Sequence, residues 1–147
     1  MNTDFILEST DGTKKSLMDF KGKNLVLYFY PKDNTSVCTL EANGFAELYD
    51  EFQRYDTEVV GISKDTIKSH LKFKEKQNLP FELLSDLDRK VHENFKVLKN
   101  GKMYGKDVIK TIRSTFVFDK DSNLIKEFRA VDGKKNPQEV LDFIKTL

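Results

Sequence analysis

Leu25-Val26-Leu27-Tyr28-Phe29-Tyr30, closed by Pro31 and followed by Lys32-Asp33-Asn34-Thr35-Ser36-Val37-Cys38, decides how this chain folds. Six apolar or aromatic residues in a row, with no polar alternation, suit a strand covered on both faces inside a parallel or mixed sheet. Pro31 stiffens the exit of that strand and a polar loop follows. Cys38, Ala42, Phe45, Tyr49 and Phe52 then recur at spacings of four, three, four and three, which is the period of one helix face. Cys38 therefore falls in the first turn of the helix, on its inward stripe. A lone cysteine on such a stripe is commonly a small buried hydrophobe. At a helix start, however, unsatisfied N–H groups and the positive end of the dipole favour thiolate over thiol.

The rest of the chain arranges itself around that strand. Glu58-Val59-Val60-Gly61-Ile62-Ser63 reads as a second buried strand, followed by a helix carrying Ile67 and Leu71 and by a short third strand, Phe81-Glu82-Leu83-Leu84. The order is β-α-β-α-β. Upstream, Phe5-Ile6-Leu7 and Lys14-Lys15-Ser16-Leu17 flank the turn signal Asp11-Gly12 and predict an N-terminal hairpin. Downstream, Ser85 or Asp86 is placed to cap a short helix through Phe95, and Asn100-Gly101 and Tyr104-Gly105 mark a long loop. Thr115–Phe118 and Leu124–Phe128 pair as an antiparallel hairpin across the Asp119–Asn123 turn cluster. Asn136, Pro137 and Glu139 supply a cap, a first-position proline and a capping-box acid for a last helix carrying Val140, Leu141, Ile144 and Leu147. The expected fold is α/β, with a mixed central sheet flanked by helices and an N-terminal β-hairpin, as one domain over residues 1–147.

Composition narrows the function. The 147 residues are 38% hydrophobic and 33% charged, enough to fill a core and too apolar for general disorder. With 25 basic and 24 acidic side chains the net charge is +1, too weak a field to hold nucleic acid without a concentrated patch. No run approaches the roughly 18 apolar residues of a membrane span, and Met1-Asn2-Thr3-Asp4-Phe5 lacks the layout of a secretory signal, so a cytoplasmic protein is expected. One cysteine permits no intrachain disulfide and no thiolate cluster for zinc, which fits a reducing compartment. Cys38-Thr39-Leu40-Glu41 has no second cysteine for dithiol exchange. His70 and His92 fall in charged helical stretches and are expected to be solvent-exposed, which disfavours both a metal site and cysteine-hydrolase chemistry.

Pro31-Lys32-Asp33-Asn34-Thr35-Ser36-Val37-Cys38 resembles the peroxiredoxin active-site segment Pro-x-x-x-Thr-x-x-Cys at every required position. The resemblance continues through Asp19-Phe20-Lys21-Gly22-Lys23, Gly61-Ile62-Ser63-Lys64-Asp65, Leu84-Ser85-Asp86 and Arg113-Ser114-Thr115-Phe116, and points to the bacterioferritin comigratory protein (PrxQ) subfamily. It implies a thioredoxin-like fold and a thiol-dependent peroxidase, without a cofactor, acting on hydrogen peroxide or organic hydroperoxides. Cys38 would be the peroxidatic nucleophile, and Thr35 would align the peroxide with its hydroxyl. Pro31 would shield the pocket, and Arg113 would stabilise the thiolate and the leaving oxygen. Read without the family, Thr35 is a helix N-cap and Arg113 a surface ion-pair residue. Glu41 looks like a supporting residue of the family but could equally complement the helix dipole, and it stays outside the catalytic set.

The chain departs from the subfamily at Asn43, where many members carry a resolving cysteine, and Thr66–Gln77 holds none either. The resemblance therefore implies a one-cysteine cycle closed by an external thiol such as thioredoxin, glutaredoxin or a small thiol, in a monomer. Gly44, beside Asn43, is expected to ease local unwinding of the helix. The alternative reading is a noncatalytic peroxide sensor in which oxidation of Cys38 changes the affinity for a partner.

Overall fold

A computed structural model describes residues 1–147. The N-terminal hairpin forms from β1 (Ile6–Ser9) and β2 (Lys14–Ser16), and a short 3-10 helix, Leu17–Phe20, leads from it into β3 (Asn24–Phe29). Then come α1 (Ser36–Glu47), α2 (Tyr49–Arg54), β4 (Thr57–Ser63), α3 (Ile67–Gln77), β5 (Leu83–Ser85) and α4 (Lys90–Asn94). The chain continues as β6 (Leu98–Met103), β7 (Lys106–Thr111), β8 (Ser114–Phe118), β9 (Leu124–Phe128) and α5 (Asn136–Ile144). Seven strands make one mixed sheet in the order β2-β1-β5-β4-β3-β8-β9. β3, β4 and β5 run parallel, whereas β8 lies antiparallel beside β3.

The unbroken apolar run behaves as its composition dictates. Val26, Tyr28 and Tyr30 point into a core shared with Phe45, Phe52 and Phe73, while Leu25, Leu27 and Phe29 point into the opposite core with Phe95 and Phe116. Both faces of β3 are covered, and each large side chain buried there contributes on the order of 1.5–3 kcal/mol. No helix is long and apolar enough to cross a membrane.

Several expectations change in the folded chain. The stretch around Asn100 and Tyr104 is a two-stranded hairpin in which Met103 pairs with Lys106. Tyr104 (φ 53°) and Gly105 (φ 78°) form its turn, with the positive φ at both central residues that tight hairpins require. Its strands are lysine-rich and largely exposed, so they carry no period-2 apolar pattern to read. The predicted long helix breaks at Leu48 (φ −95°, ψ 0°), and the reorientation keeps Phe45 and Phe52 in one core with ring centroids 6.0 Å apart. α3 turns His70 and Phe73 inward and leaves Leu71 46% exposed. Lys135, not Asn136, is the N-cap of α5; the Asn136 side chain is buried and accepts a hydrogen bond from Thr115 Oγ1 at 2.6 Å.

Gly61 illustrates how tightly the centre of the sheet is filled. A Cβ there would lie 2.8 Å from Leu83 Cδ2 and 2.9 Å from the Tyr28 ring, which is itself stacked on Phe45. Gly61→Ala should cost about 1–3 kcal/mol of stability through overpacking. Urea unfolding monitored by circular dichroism tests this, and a midpoint equal to that of the parent chain would show that the core yields at no cost.

Candidate active site

The parallel strands β3 and β4 end side by side, joined by the Tyr30 N–H to Ile62 carbonyl bond at 3.1 Å. From that edge the loop of residues 31–35 runs to the start of α1, with Asn34 in the left-handed region at φ 64°. Cys38 lies in the first turn of α1 and is 1% exposed. Arg113, immediately before β8, reaches it: Nη2 donates to Cys38 Sγ at 3.3 Å and Nη1 donates to Glu41 Oε1 at 2.8 Å. One guanidinium thus bridges two groups spaced one turn apart on α1.

Glu41 belongs to the site more firmly than the sequence suggested, because its side chain is fully buried against Arg113. Burial pushes its carboxyl up to about 7, outweighing the opposing pull of Arg113. Burial in turn pulls Arg113 down, but Glu41 and Cys38 hold it above its ordinary value. Gly133, which the sequence reading missed, backs the same guanidinium. A Cβ there would sit 3.2 Å from Arg113 Cδ and Nε and 2.7 Å from Val37 Cγ1. The 31–35 loop, α1, the start of β8 and the segment before α5 therefore converge on one point.

Thr35 stands at the N-cap of α1 by its backbone, but its side chain does not cap. Oγ1 donates to the Lys32 carbonyl at 2.8 Å, so its proton is committed within the loop and its lone pairs remain available as acceptors. Pro31 is half-buried at the strand exit. Pro31 and Thr35 line one side of a cleft of about 880 Å³ whose other walls come from the β5–α4 turn and the β6–β7 hairpin. Gly44 also has a packing role. A Cβ there would lie 2.8 Å from Pro137 Cγ, so the absent side chain lets α1 and α5 cross closely.

The histidines contradict the expectation of exposure, since both are fully buried. His70 Nε2 lies 2.8 Å from the Leu84 carbonyl, which can only accept, and this places a proton on Nε2. Nδ1 lies 2.7 Å from Asp33 Oδ2, and Asp33 also accepts from Tyr30 Oη at 2.6 Å and Ser69 Oγ at 2.8 Å. The Asp33 N–H donates in turn to Asp65 Oδ2 at 2.8 Å. These bonds pin the 31–35 loop to α3 and β4. Asp33, Asp65 and His70 are the one group with the spacing of metal ligands, and Asp33 Oδ2, Asp65 Oδ2 and His70 Nδ1 already hydrogen-bond to one another or to Ser63, Ser69 and the loop backbone. His92 is held similarly by Asp86 Oδ2 at 2.6 Å. Burial raises the Asp86 carboxyl, but the bonds from His92 leave it below its usual range. A histidine with a carboxylate partner can be buried whatever charges surround it in sequence. The available signal was the i, i+3 pairing of His70 with Phe73 on one helix face.

Residues 2–127 match the AhpC/TSA family. The chain is 44% identical over 144 residues to peroxiredoxin Bcp of Bacillus subtilis, covering 98% of this chain and 92% of that protein. It is 37% identical over 142 residues to peroxiredoxin Bcp of Xanthomonas campestris, covering 97% and 89%. Among solved structures, the Xanthomonas campestris bacterioferritin comigratory protein, studied for its alkyl peroxide reduction activity, superposes with a TM-score of 0.91 at 36% identity over 97% of this chain and 90% of that one. A cysteine-to-serine variant of Xylella fastidiosa PrxQ superposes with a TM-score of 0.92 at 36% identity, covering 99% and 92%.

Two outcomes are expected from this geometry. His70→Ala leaves the Asp33 carboxyl buried without its main partner and should cost about 3–5 kcal/mol in urea unfolding; a loss below 1 kcal/mol would show that solvent replaces the imidazole. Glu41 has a folded-state value near 7, above its ordinary 4.5. It therefore favours the folded chain when protonated, a contribution complete below about pH 4.5 and lost as pH rises through 7. Glu41→Gln removes that dependence, so its stability relative to the parent chain should climb across this window. Parallel stability curves for the two proteins would contradict the assignment.

Proposed function

The chain belongs to the AhpC/TSA family and, within it, to the Bcp/PrxQ peroxiredoxins, thiol-dependent peroxidases of thioredoxin-like fold, and on that premise we propose that it reduces peroxides through a one-cysteine cycle centred on Cys38. The observation that carries this reading is the Arg113 guanidinium, which meets the buried sulfur at 3.3 Å while anchored on Glu41. A guanidinium cannot be deprotonated in this setting, so it offers a fixed positive charge to a thiolate and to oxygen charge as it develops.

In the first half-reaction the Cys38 thiolate attacks one peroxide oxygen. A sulfur–oxygen bond forms, the oxygen–oxygen bond breaks, and the departing hydroxide or alkoxide takes a proton and leaves as water or alcohol. Cys38 is oxidised to sulfenic acid and the peroxide is reduced by two electrons. With its proton given to the Lys32 carbonyl, the Thr35 hydroxyl accepts from the peroxide O–H and aligns it. Pro31 walls the entrance. In the second half-reaction an external thiol attacks the sulfenic sulfur, water departs, and a second thiol releases Cys38. No cofactor enters either half. Hydrogen peroxide and organic hydroperoxides are the oxidants in this reading, with one domain over 1–147 as a monomer and the cytoplasm as its compartment, in keeping with a single cysteine and a small net charge.

Cys38→Ser should abolish peroxide consumption with the fold intact, because it removes the only thiol. Parent protein given excess dithiothreitol should consume many equivalents of peroxide, whereas a sensor would stop near one. Arg113→Ala should slow oxidation of Cys38 by about a hundredfold or more in stopped-flow mixing; a rate within twofold of the parent would reduce Arg113 to an ion-pair residue. Thr35→Val should slow the same step with little loss of stability, since its hydroxyl caps no helix N–H and gives up only one exposed bond, to the Lys32 carbonyl. Lost stability at an unchanged rate would remove Thr35 from the reaction.

A further inference from the structure

The cleft beside Pro31 and Thr35 has a chemistry the first half-reaction does not use. Its volume of about 880 Å³ is in the range of pockets that hold small organic ligands. Lys32, Lys64, Arg89 and Lys110 line it against two carboxylates, Asp88 and Glu93. The ion pairs of the chain lie elsewhere, at residues such as Lys15, Lys74, Lys102 and Lys145, and none involves these four cations. Three of them sense one another: burial first, then Arg89, and after them Lys32, bring Lys64 below its ordinary value against the opposing pull of Asp65. In a protein of net charge +1, the cleft adjoining the Cys38 loop thus holds four cations against two carboxylates, an excess of positive charge.

The remaining walls are apolar. Leu87, Met103 and Ile109 are 66%, 54% and 54% exposed along the cleft. Arg89 Nη1 donates to the Ile109 carbonyl at 2.6 Å and ties the β5–α4 turn to the hairpin, so opposite walls hold each other in place. Such a cleft suits a small organic anion with some apolar surface.

The cycle itself says what such an anion would do. Cys38 is the only cysteine, so the electrons that reduce its sulfenic acid come from outside the chain. A concave cleft admits a small molecule more readily than the convex face of a protein. Thr35 places the end of the cleft three residues before Cys38, at the first turn of α1. From this, and resting on the one-cysteine reading above, we infer that the cleft between the Cys38 loop and the β6–β7 hairpin binds a low-molecular-weight anionic thiol, the molecule that takes the place of the missing resolving cysteine.

The step balances without further reagents. The thiol sulfur attacks the Cys38 sulfenic sulfur, a sulfur–sulfur bond forms, and hydroxide leaves with the thiol proton as water. A second thiol molecule then attacks the outer sulfur of the mixed disulfide, releasing Cys38 thiolate and the symmetrical disulfide. Two thiols are oxidised for each peroxide reduced. For this step the first turn of α1, closed by the Thr39 N–H to Thr35 carbonyl bond at 2.9 Å, has to open so that the buried sulfur reaches the cleft. With four cations against two carboxylates the cleft carries an excess of positive charge, which speeds association of an anion, an effect that salt removes.

Glutathione and its diethyl ester share one thiol and differ in their two carboxylates, which makes them a matched pair of probes. Cys38 is oxidised with one equivalent of hydrogen peroxide, and its reduction by each probe is followed by rapid quenching, alkylation and intact mass. The expected result is reduction at least about tenfold faster by glutathione than by the diester at low ionic strength, with the ratio shrinking in high salt. Lys64→Glu should bring the ratio close to one, and Lys32→Glu, at an exposed side chain, gives the same reading if the first variant does not fold. Equal rates in the parent protein, or a ratio that neither salt nor charge reversal changes, would overturn the inference. So would charge dependence found only in the oxidation of Cys38 by an anionic hydroperoxide, which would assign the cleft to the oxidant. Failure to form sulfenic acid at Cys38 is a distinct result, one that removes the one-cysteine reading and this inference together.

Discussion

The contact between Arg113 and two groups on α1 is the constraint around which the site is arranged. Cys38 and Glu41 are both withdrawn from water, and neither can be buried in charged form without a cation at hydrogen-bonding distance. Arg113 can serve both because its planar fork presents two nitrogens in fixed geometry and Cys38 and Glu41 stand one turn apart on the same helix face. That demand reaches back into the fold. β8 must lie antiparallel beside β3 so that the residue before it arrives next to the helix that β3 feeds. Gly133 must lack a side chain so that the segment before α5 can close over the guanidinium.

A second set of polar bonds fixes the other side of the same loop. Asp33 gathers Tyr30, Ser69 and His70 around one buried carboxyl, and His70 extends the connection to the Leu84 carbonyl in β5. Strands β3, β4 and β5, parallel and adjacent, bring their ends to one edge of the sheet, and this network joins them there. Open α/β sheets place their sites outside the carboxyl ends of the strands. Here that edge carries both the sulfur and the network that orients its loop. Buried polar groups this fully satisfied specify one conformation of a loop that has little apolar surface of its own.

The two halves of the proposed cycle make different demands on this arrangement. Oxidation of Cys38 calls for a sulfur shielded from water, with fixed charge beside it and a hydroxyl to align the peroxide. Reduction calls for access, because the electrons come from another molecule. The packed core behind α1, with Pro137 fitted against Gly44, serves the first demand. The charged cleft on the outer side of the loop, walled by a hairpin with few core contacts, suits the second.

What the sequence determined by itself was everything written in local pattern. The unbroken run at Leu25–Tyr30 defined a strand covered on both faces, the helical period placed Cys38 in a first turn, and the single cysteine excluded an internal disulfide. The spacing of Pro31, Thr35 and Cys38 with the later Arg113 was enough to suggest the family. The β6–β7 hairpin escaped because its residues are mostly exposed, and solvation of both strand faces erases the alternation that marks a strand. His70, His92 and Glu41 were misjudged or left open for the opposite reason: their neighbours in sequence are charged, while their partners, Asp33, Asp86 and Arg113, are brought to them by the fold. A buried polar residue is identified by who satisfies it. For His70 and Glu41 that partner lies 37 and 72 residues away in the chain, a distance that only tertiary structure closes.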